Sequence, residues 1–149
     1  MLGPAPYKGQ AAKTPHATNG GGRSHPPVAR AIALLMRVLA ILTVRNEGSF
    51  LLEWLAHHRA CGITDILAFS NDCTDGTDLM LDRLAQMGWL THIRNDGPHE
   101  KGPQWHALKT AAQHPLTRAA DWILVLDIDE FVNVHVGNRT LPALIAALP

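Results

Sequence analysis

Apolar and polar positions along the chain switch repeatedly between two patterns. Val38 to Val44 is a short, nearly unbroken apolar run, the pattern of a buried strand. Phe50, Leu51, Trp54, Leu55 and His58 then fall on one helical stripe, and Gly62 supplies a C-terminal stop. Asp65 to Ser70 predicts a second strand. Thr74 to Met87 predicts a helix with Leu79, Met80, Leu84 and Met87 turned inward, closed by Gly88. Trp89 to Arg94 predicts a third strand, and Asn95 to Lys101 a polar loop around Gly97-Pro98. Pro103 suits the first turn of a helix running to about Gln113. Trp122 to Leu126 predicts a fourth strand that runs straight into Asp127. Thr140 is placed to cap a last helix, Leu141 to Leu148, with Pro142 in its first turn. Strands alternating with helices predict an α/β fold: a mostly parallel sheet, buried on both faces between flanking helices.

The first thirty or so residues break this pattern. They are rich in Gly, Pro, Ala, Ser and Thr, with Gly20-Gly21-Gly22 and Pro26-Pro27. Such a segment buries too little apolar surface to offset its ordering entropy, so residues 1–35 read as a disordered N-terminal extension. Met36 is a natural beginning for the first strand, which raises the expectation that translation starts there. The run from Ala31 to Val44 is too short, and too interrupted by Arg37, to span a bilayer, and it starts too far into the chain for a signal peptide. No transmembrane segment is expected.

Composition narrows the classes further. The 149 residues suffice for one domain, and 46% apolar with 17% charged residues suits a globular protein. Thirteen basic side chains balance thirteen acidic ones, which leaves no electrostatic footprint for nucleic acid. Cys61 and Cys73 form no CxxC, so a reduced chain is the plainer reading: cytoplasmic, or peripheral to the inner face of the membrane. His57 and Cys61 are four apart but have no third ligand in register, so they read as a helix face rather than a metal site. Trp54 and Trp122 read as core; Trp105, beside the polar loop, is placed either to contact a sugar or to pack.

Ligands of open α/β sheets bind beyond the carboxyl ends of the strands. Three polar clusters lie there: Arg45-Asn46-Glu47-Gly48, Ser70-Asn71-Asp72-Cys73-Thr74-Asp75-Gly76-Thr77, and Asp127-Ile128-Asp129-Glu130. The last is the sharpest. Two carboxylates one residue apart at the end of a buried strand can share Mg²⁺ or Mn²⁺, which prefer oxygen ligands and bridge carboxylates to phosphates; the plainer alternative is that Asp127 caps the strand end and Glu130 is a solvated turn residue. Asn71 and Asp72 can hydrogen-bond a base or ribose, or serve as turn chemistry together with a Thr74 or Asp75 cap. Arg45 can meet a phosphate or pair with an acid, and Asn46 is a competent N-cap.

Taken in order, these clusters resemble family 2 glycosyltransferases, which have the GT-A fold. Val44-Arg45-Asn46-Glu47 is similar to the family's opening strand-and-turn motif. Asn71-Asp72-Cys73-Thr74-Asp75-Gly76-Thr77 is similar to its Asp-Gly-Ser-Thr-Asp-Gly-Thr, and Leu126-Asp127-Ile128-Asp129-Glu130-Phe131 to its DxD segment. Glu53-Trp54-Leu55-Ala56-His57-His58 with Gly62 is similar to one bacterial branch. The resemblance covers about residues 38 to 135 and implies that 36–149 form the nucleotide-sugar-binding N-terminal part of a GT-A (Rossmann-like) domain, truncated after the DxD strand.

It further implies a divalent metal, Mn²⁺ or Mg²⁺, held by Asp129 and Asp127, and a nucleotide-diphosphate sugar as donor. Arg45, Glu47, Asn71, Asp72 and Asp127 would line the nucleotide site, Asn71 standing where the family usually has an acid. The acceptor would be a glycan, lipid or protein hydroxyl, attacking with inversion. One of Lys101 and Lys109 would approach the diphosphate, with Gln104 and His106 equally open. No general base is placed, and Glu130 lies too near the metal acids. The competing readings are a non-catalytic donor-binding fragment and a haloacid-dehalogenase-type phosphatase. Phe131, and the motif's place on the fourth strand, argue against the phosphatase.

Overall fold

The computed structural model describes residues 36–148, so the expectations for 1–35 lie outside the described residues. Four strands form one all-parallel sheet: β1 (Val38–Val44), β2 (Asp65–Ser70), β3 (Thr91–Arg94) and β4 (Trp122–Leu126). Their spatial order is β3-β2-β1-β4. The helices are α1 (Gly48–Ala60), α2 (Thr77–Gln86), α3 (Pro103–Gln113), α4 (Pro115–Ala119) and α5 (Leu141–Ala146). The chain steps outward from β1 to β2 to β3, then returns to the far side of β1 to lay down β4. Parallel neighbours need crossover connections, and α1 to α4 supply them.

Alternating side chains of β1 and β2 feed two cores. Val38, Ala40, Leu42, Val44, Ile66 and Ala68 pack with Leu51, Trp54 and Leu55 of α1 and Leu81 and Leu84 of α2. Leu39, Ile41, Leu67 and Phe69 pack on the other face with Ala107 and Ala111 of α3. The small alanines let α3 lie close to the sheet. The fold is thus a Rossmann-like α/β layer with helices on both faces, as the strand–helix alternation predicts. No helix among the described residues is long and apolar enough to cross a membrane.

Several local expectations need correction. Helix α2 begins at Thr77 rather than Thr74, because the Asp75 carboxylate takes the Thr77 amide and Gly76 turns the chain at φ 89°. The buried set is then Thr77, Leu81 and Leu84, Met80 packs partly buried against the same core as expected, and Leu79 and Met87 are exposed. Gly88 does end this helix, and the Trp89 amide folds back onto the Leu84 carbonyl, so β3 starts at Thr91. Phe50 lies in the first turn of α1 and is exposed rather than inward.

Strand β4 is not buried on both faces. It pairs only with β1 among the described residues, and Trp122, Ile123 and Val125 are each nearly half exposed. Trp122 is therefore not a core residue, whereas Trp54 is fully buried. Thr140 stands at the N-cap position of α5, but its hydroxyl donates to Asn138 instead of capping. That helix is docked by a close approach at Gly62. The glycine adopts φ 101°, its Cβ would lie 2.8 Å from Pro142, and the neighbouring Cys61 carbonyl accepts the Leu141 amide.

The strand entrances are tied by Arg37 and Asp65, whose side chains meet at 2.8 Å. Burial pushes the Asp65 carboxyl up, but hydrogen bonds from Arg37 and Thr64 outweigh it and leave the group below its ordinary value. A carboxyl depressed in the folded state adds stability that is present above its unfolded value and lost as pH falls through the folded one. Asp65→Asn is therefore expected to cost about 0.5–1 kcal/mol near neutral pH. Urea midpoints of the two proteins should converge at about pH 2–3; a gap that persists there would show that the ion pair is not its source.

Candidate functional site

All four strands point their carboxyl ends to one edge of the sheet, and the three polar clusters meet there. The turn after β4 is built first. The Glu130 amide donates to the Asp127 carbonyl, and the Asp127 amide donates back to the Glu130 carboxylate at 3.0 Å. This reciprocal turn buries Ile128 in the core and leaves Asp127 and Asp129 exposed on either side of it. Both acids line an open cleft of about 520 Å³, together with Thr43, Glu47, Phe50, Ile128 and Phe131.

Glu47 reaches this cleft because the start of α1 is held by the next loop, not by its own cap. The Glu47 amide donates to the Thr77 hydroxyl at 2.9 Å, and the Gly48 amide to Asp75. The Thr77 hydroxyl in turn donates to Asp75 at 2.6 Å, which holds that carboxyl below its ordinary value. Asn46 takes φ 59° and bridges to Thr74 through its side chain, so it joins two loops and does not cap a helix. Burial, then the nearby charges of Asp129, Asp127 and Asp75, push the Glu47 carboxyl up.

The sequence-derived residues divide into two groups. Glu47, Asp127 and Asp129 converge on the cleft. Asn71, Asp72 and Arg45 are not among its lining residues. Asn71 is buried, its amide donating to the Val44 carbonyl and its oxygen accepting from Asn95. These bonds join the ends of β1, β2 and β3. Asp72 exchanges bonds with the Asp96–Gly97 turn. Arg45 is exposed on the turn after β1. His106 hydrogen-bonds Asn95 and stacks on His99 with ring centroids 4.1 Å apart, which ties the polar loop to α3.

Three residues on α1 matter more to the turn than their types suggested. The Trp54 indole N–H donates to both the Asp127 and Glu130 carbonyls, at 3.1 Å each. His57 donates to the Val132 carbonyl, and the second nitrogen of His58 accepts the Val132 amide. The partners are more than seventy positions away in the chain, so periodicity signals only a buried stripe.

The cleft's donor set suits a hard divalent cation. It offers carboxylate oxygens and neither His nor Cys, with Asp129 and Asp127 both close enough to act on Glu47. No group of three or more His, Cys, Asp or Glu at metal-holding spacing occurs among the described residues. Any cation here would take the rest of its coordination from water and from phosphate oxygens of a ligand.

A second cluster has the order of an acid–imidazole–hydroxyl relay. Asp82 meets one nitrogen of His92 at 2.7 Å, and the other nitrogen meets the Ser70 hydroxyl at 2.8 Å. Ser70 is 0% exposed, however, and does not line the cleft, so no substrate carbonyl can reach it. The cluster, extended by Arg94 to Asp78 and Asp82, binds α2 to β3 and β2.

Two outcomes follow. A fluorophosphonate serine probe should leave Ser70 unmodified in the native protein, and labelling there would revive the relay as chemistry. Glu47 is raised in the folded state, so its contribution to stability is present below its unfolded value and lost as pH rises through the folded one. Glu47→Gln should therefore stabilise the protein near neutral pH by roughly 0.5 kcal/mol. That gain should vanish at about pH 4, and a lowered urea midpoint at neutral pH would contradict the crowding.

Comparison with known proteins supplies the family. The model for glycosyltransferase family 92 matches residues 41–148. A glycosyltransferase family 92 protein of Ricinus communis is 26% identical over 99 residues, covering 63% of this chain and 16% of the relative. One of Oryza sativa subsp. japonica is 27% identical over 101 residues, covering 66% and 16%. The chain thus spans about a sixth of the length of these relatives. No solved structure matches it significantly. The motifs resemble family 2 and a bacterial branch, but the matching family is a different one and these relatives are from plants. Open parallel sheets bind ligands of many kinds beyond the carboxyl ends of their strands, so polar clusters there do not separate one such family from another. The span of the match makes this chain a member of glycosyltransferase family 92.

Proposed function

We propose that the cleft at the ends of β1 and β4 binds a nucleotide-diphosphate sugar through Mg²⁺ or Mn²⁺, as the donor site of a sugar transferase. One observation carries this reading: Glu47, Asp127 and Asp129 converge in a single cleft where the strand order reverses. Reversal points of open parallel sheets leave a crevice between loops that diverge to opposite faces, and ligands bind there.

In this reading Asp129 and Asp127 hold the cation and Glu47 closes the anionic side. A bound cation supplies Lewis-acid neutralisation of the departing diphosphate. Phe50 and Phe131 form exposed aromatic walls and shield the reacting bond from water. An acceptor hydroxyl of a glycan, lipid or protein attacks the anomeric carbon as the bond to the diphosphate breaks. The hydroxyl proton leaves to water at the open mouth of the cleft, which Glu130 does not line. Arg45, on the turn beside Glu47, is the nearest candidate of the first cluster for a phosphate contact. Asn71 and Asp72 act one step back, by holding the loops that frame the nucleotide.

Calorimetric titration with UDP and GDP, with and without Mn²⁺, tests the reading. One nucleotide should bind only when Mn²⁺ is present. Asp129→Ala should weaken that binding at least about a hundredfold, and Asp127→Asn about tenfold. Nucleotide binding indifferent to both metal and Asp129 would remove the donor-site assignment.

A further inference from the structure

The side chains at positions 54, 57 and 58 occupy one face of α1 and grip the segment from Asp127 to Val132 by its backbone. Trp54 holds both ends of the acidic turn through one N–H. His57 and His58 hold the residue just beyond it, at the Val132 carbonyl and amide. Phe131 lies across both imidazoles, edge-on to His57 at 5.0 Å and tilted over His58 at 5.8 Å. Trp54 and His58 are each 0% exposed. Neither lines the cleft, so neither can touch a ligand there.

The proton inventory of this cluster closes in one way. One nitrogen of His58 lies 2.8 Å from the Trp54 carbonyl, an acceptor only, so this nitrogen carries the proton. The other nitrogen then has a lone pair for the Val132 amide. His57 must carry its proton on the nitrogen facing the Val132 carbonyl. The Cys61 thiol donates to the same Val132 carbonyl at 3.6 Å, so each donor of the cluster meets an acceptor. The arrangement also uses both hydrogen-bonding faces of His58, a demand that an ordinary core residue does not face.

We infer that Trp54 and His58 are positioning residues for the acidic turn. They set where the Asp127 and Asp129 carboxylates stand, and thereby set affinity for the cation and the nucleotide diphosphate. This rests on the donor-site reading above, and its mechanism is indirect. The turn's own Asp127–Glu130 bonds and the buried Ile128 fix its shape, and the bonds to α1 fix how that shape sits on a strand paired on one side. Partners behind a metal ligand typically change affinity about ten- to a hundredfold when removed.

The test compares Trp54→Phe, which keeps an aromatic ring and deletes the N–H, with Leu81→Val, which loosens the same core without approaching the turn. His58→Leu serves as a second positioning variant. Mn²⁺ affinity with UDP present and amide hydrogen exchange are measured on all three. Trp54→Phe and His58→Leu should exchange the 127–132 amides at least about tenfold faster while the β1 amides keep their protection. Both should weaken Mn²⁺ about tenfold. Leu81→Val should lower global stability and leave Mn²⁺ affinity within about twofold.

Unchanged exchange at 127–132 in Trp54→Phe would overturn the proposal. So would faster exchange with unchanged affinity, or an equal loss of affinity in Leu81→Val. If the parent protein binds neither Mn²⁺ nor UDP, the donor-site reading falls and takes the affinity half of this proposal with it. The exchange comparison then still decides whether the indole holds the turn.

Discussion

Parallel pairing of β1 with neighbours on both sides is the constraint on which the rest of the structure depends. It sends every strand's carboxyl end to the same edge, so three turns far apart in sequence become one rim. It also obliges the chain to cross back over the sheet, which puts α1 and α2 on one face and α3 and α4 on the other. The cleft opens where those two directions part. Its acids come from the turns of the two strands that flank this parting, β1 for Glu47 and β4 for Asp127 and Asp129.

The rim is held by side chains that bond other loops instead of their own. The amide of Glu47 is taken by Thr77, the amide of Thr74 by Asn46, and the amide of Gly97 by Asp72. Each turn therefore depends on the next one along. These bonds fix Glu47, and the bonds between α1 and the turn after β4 fix the other two acids of the cleft. The mutual repulsion of the three acids is small beside the number of backbone groups that would be left unpaired if the turns separated.

The strand plan was legible because apolar runs of the right length are bounded by polar turns. Val38–Val44, Asp65–Ser70 and Trp122–Leu126 lie where the pattern puts them. The place of Asp127 and Asp129 on the cleft was legible for a related reason: they directly follow such a run, and a parallel sheet sends every strand end to one rim. What failed was whatever depends on a partner remote in sequence. The role of Asn71 cannot be read without knowing that Asn95 lies beside it, nor that of Trp54 without the turn at Asp127. Helix α4 went unread because Pro115, two residues after the end of α3, looks like a terminator, although His114 caps a new turn there. The exposure of β4 went unread because an apolar strand looks the same at the edge of a sheet as in its middle.

That last point has a thermodynamic consequence. Segments of a protein open with different free energies, and a strand bonded along one side opens more readily than one bonded along two. Strand β4 is such a strand among the described residues, and it carries the acidic turn. The acids proposed to bind the donor thus ride on an edge strand, as β3 also is, and anything that binds them also clamps β4 to β1. Occupancy and local order are then two readings of a single equilibrium, with the four hydrogen bonds from α1 as its fixed anchor.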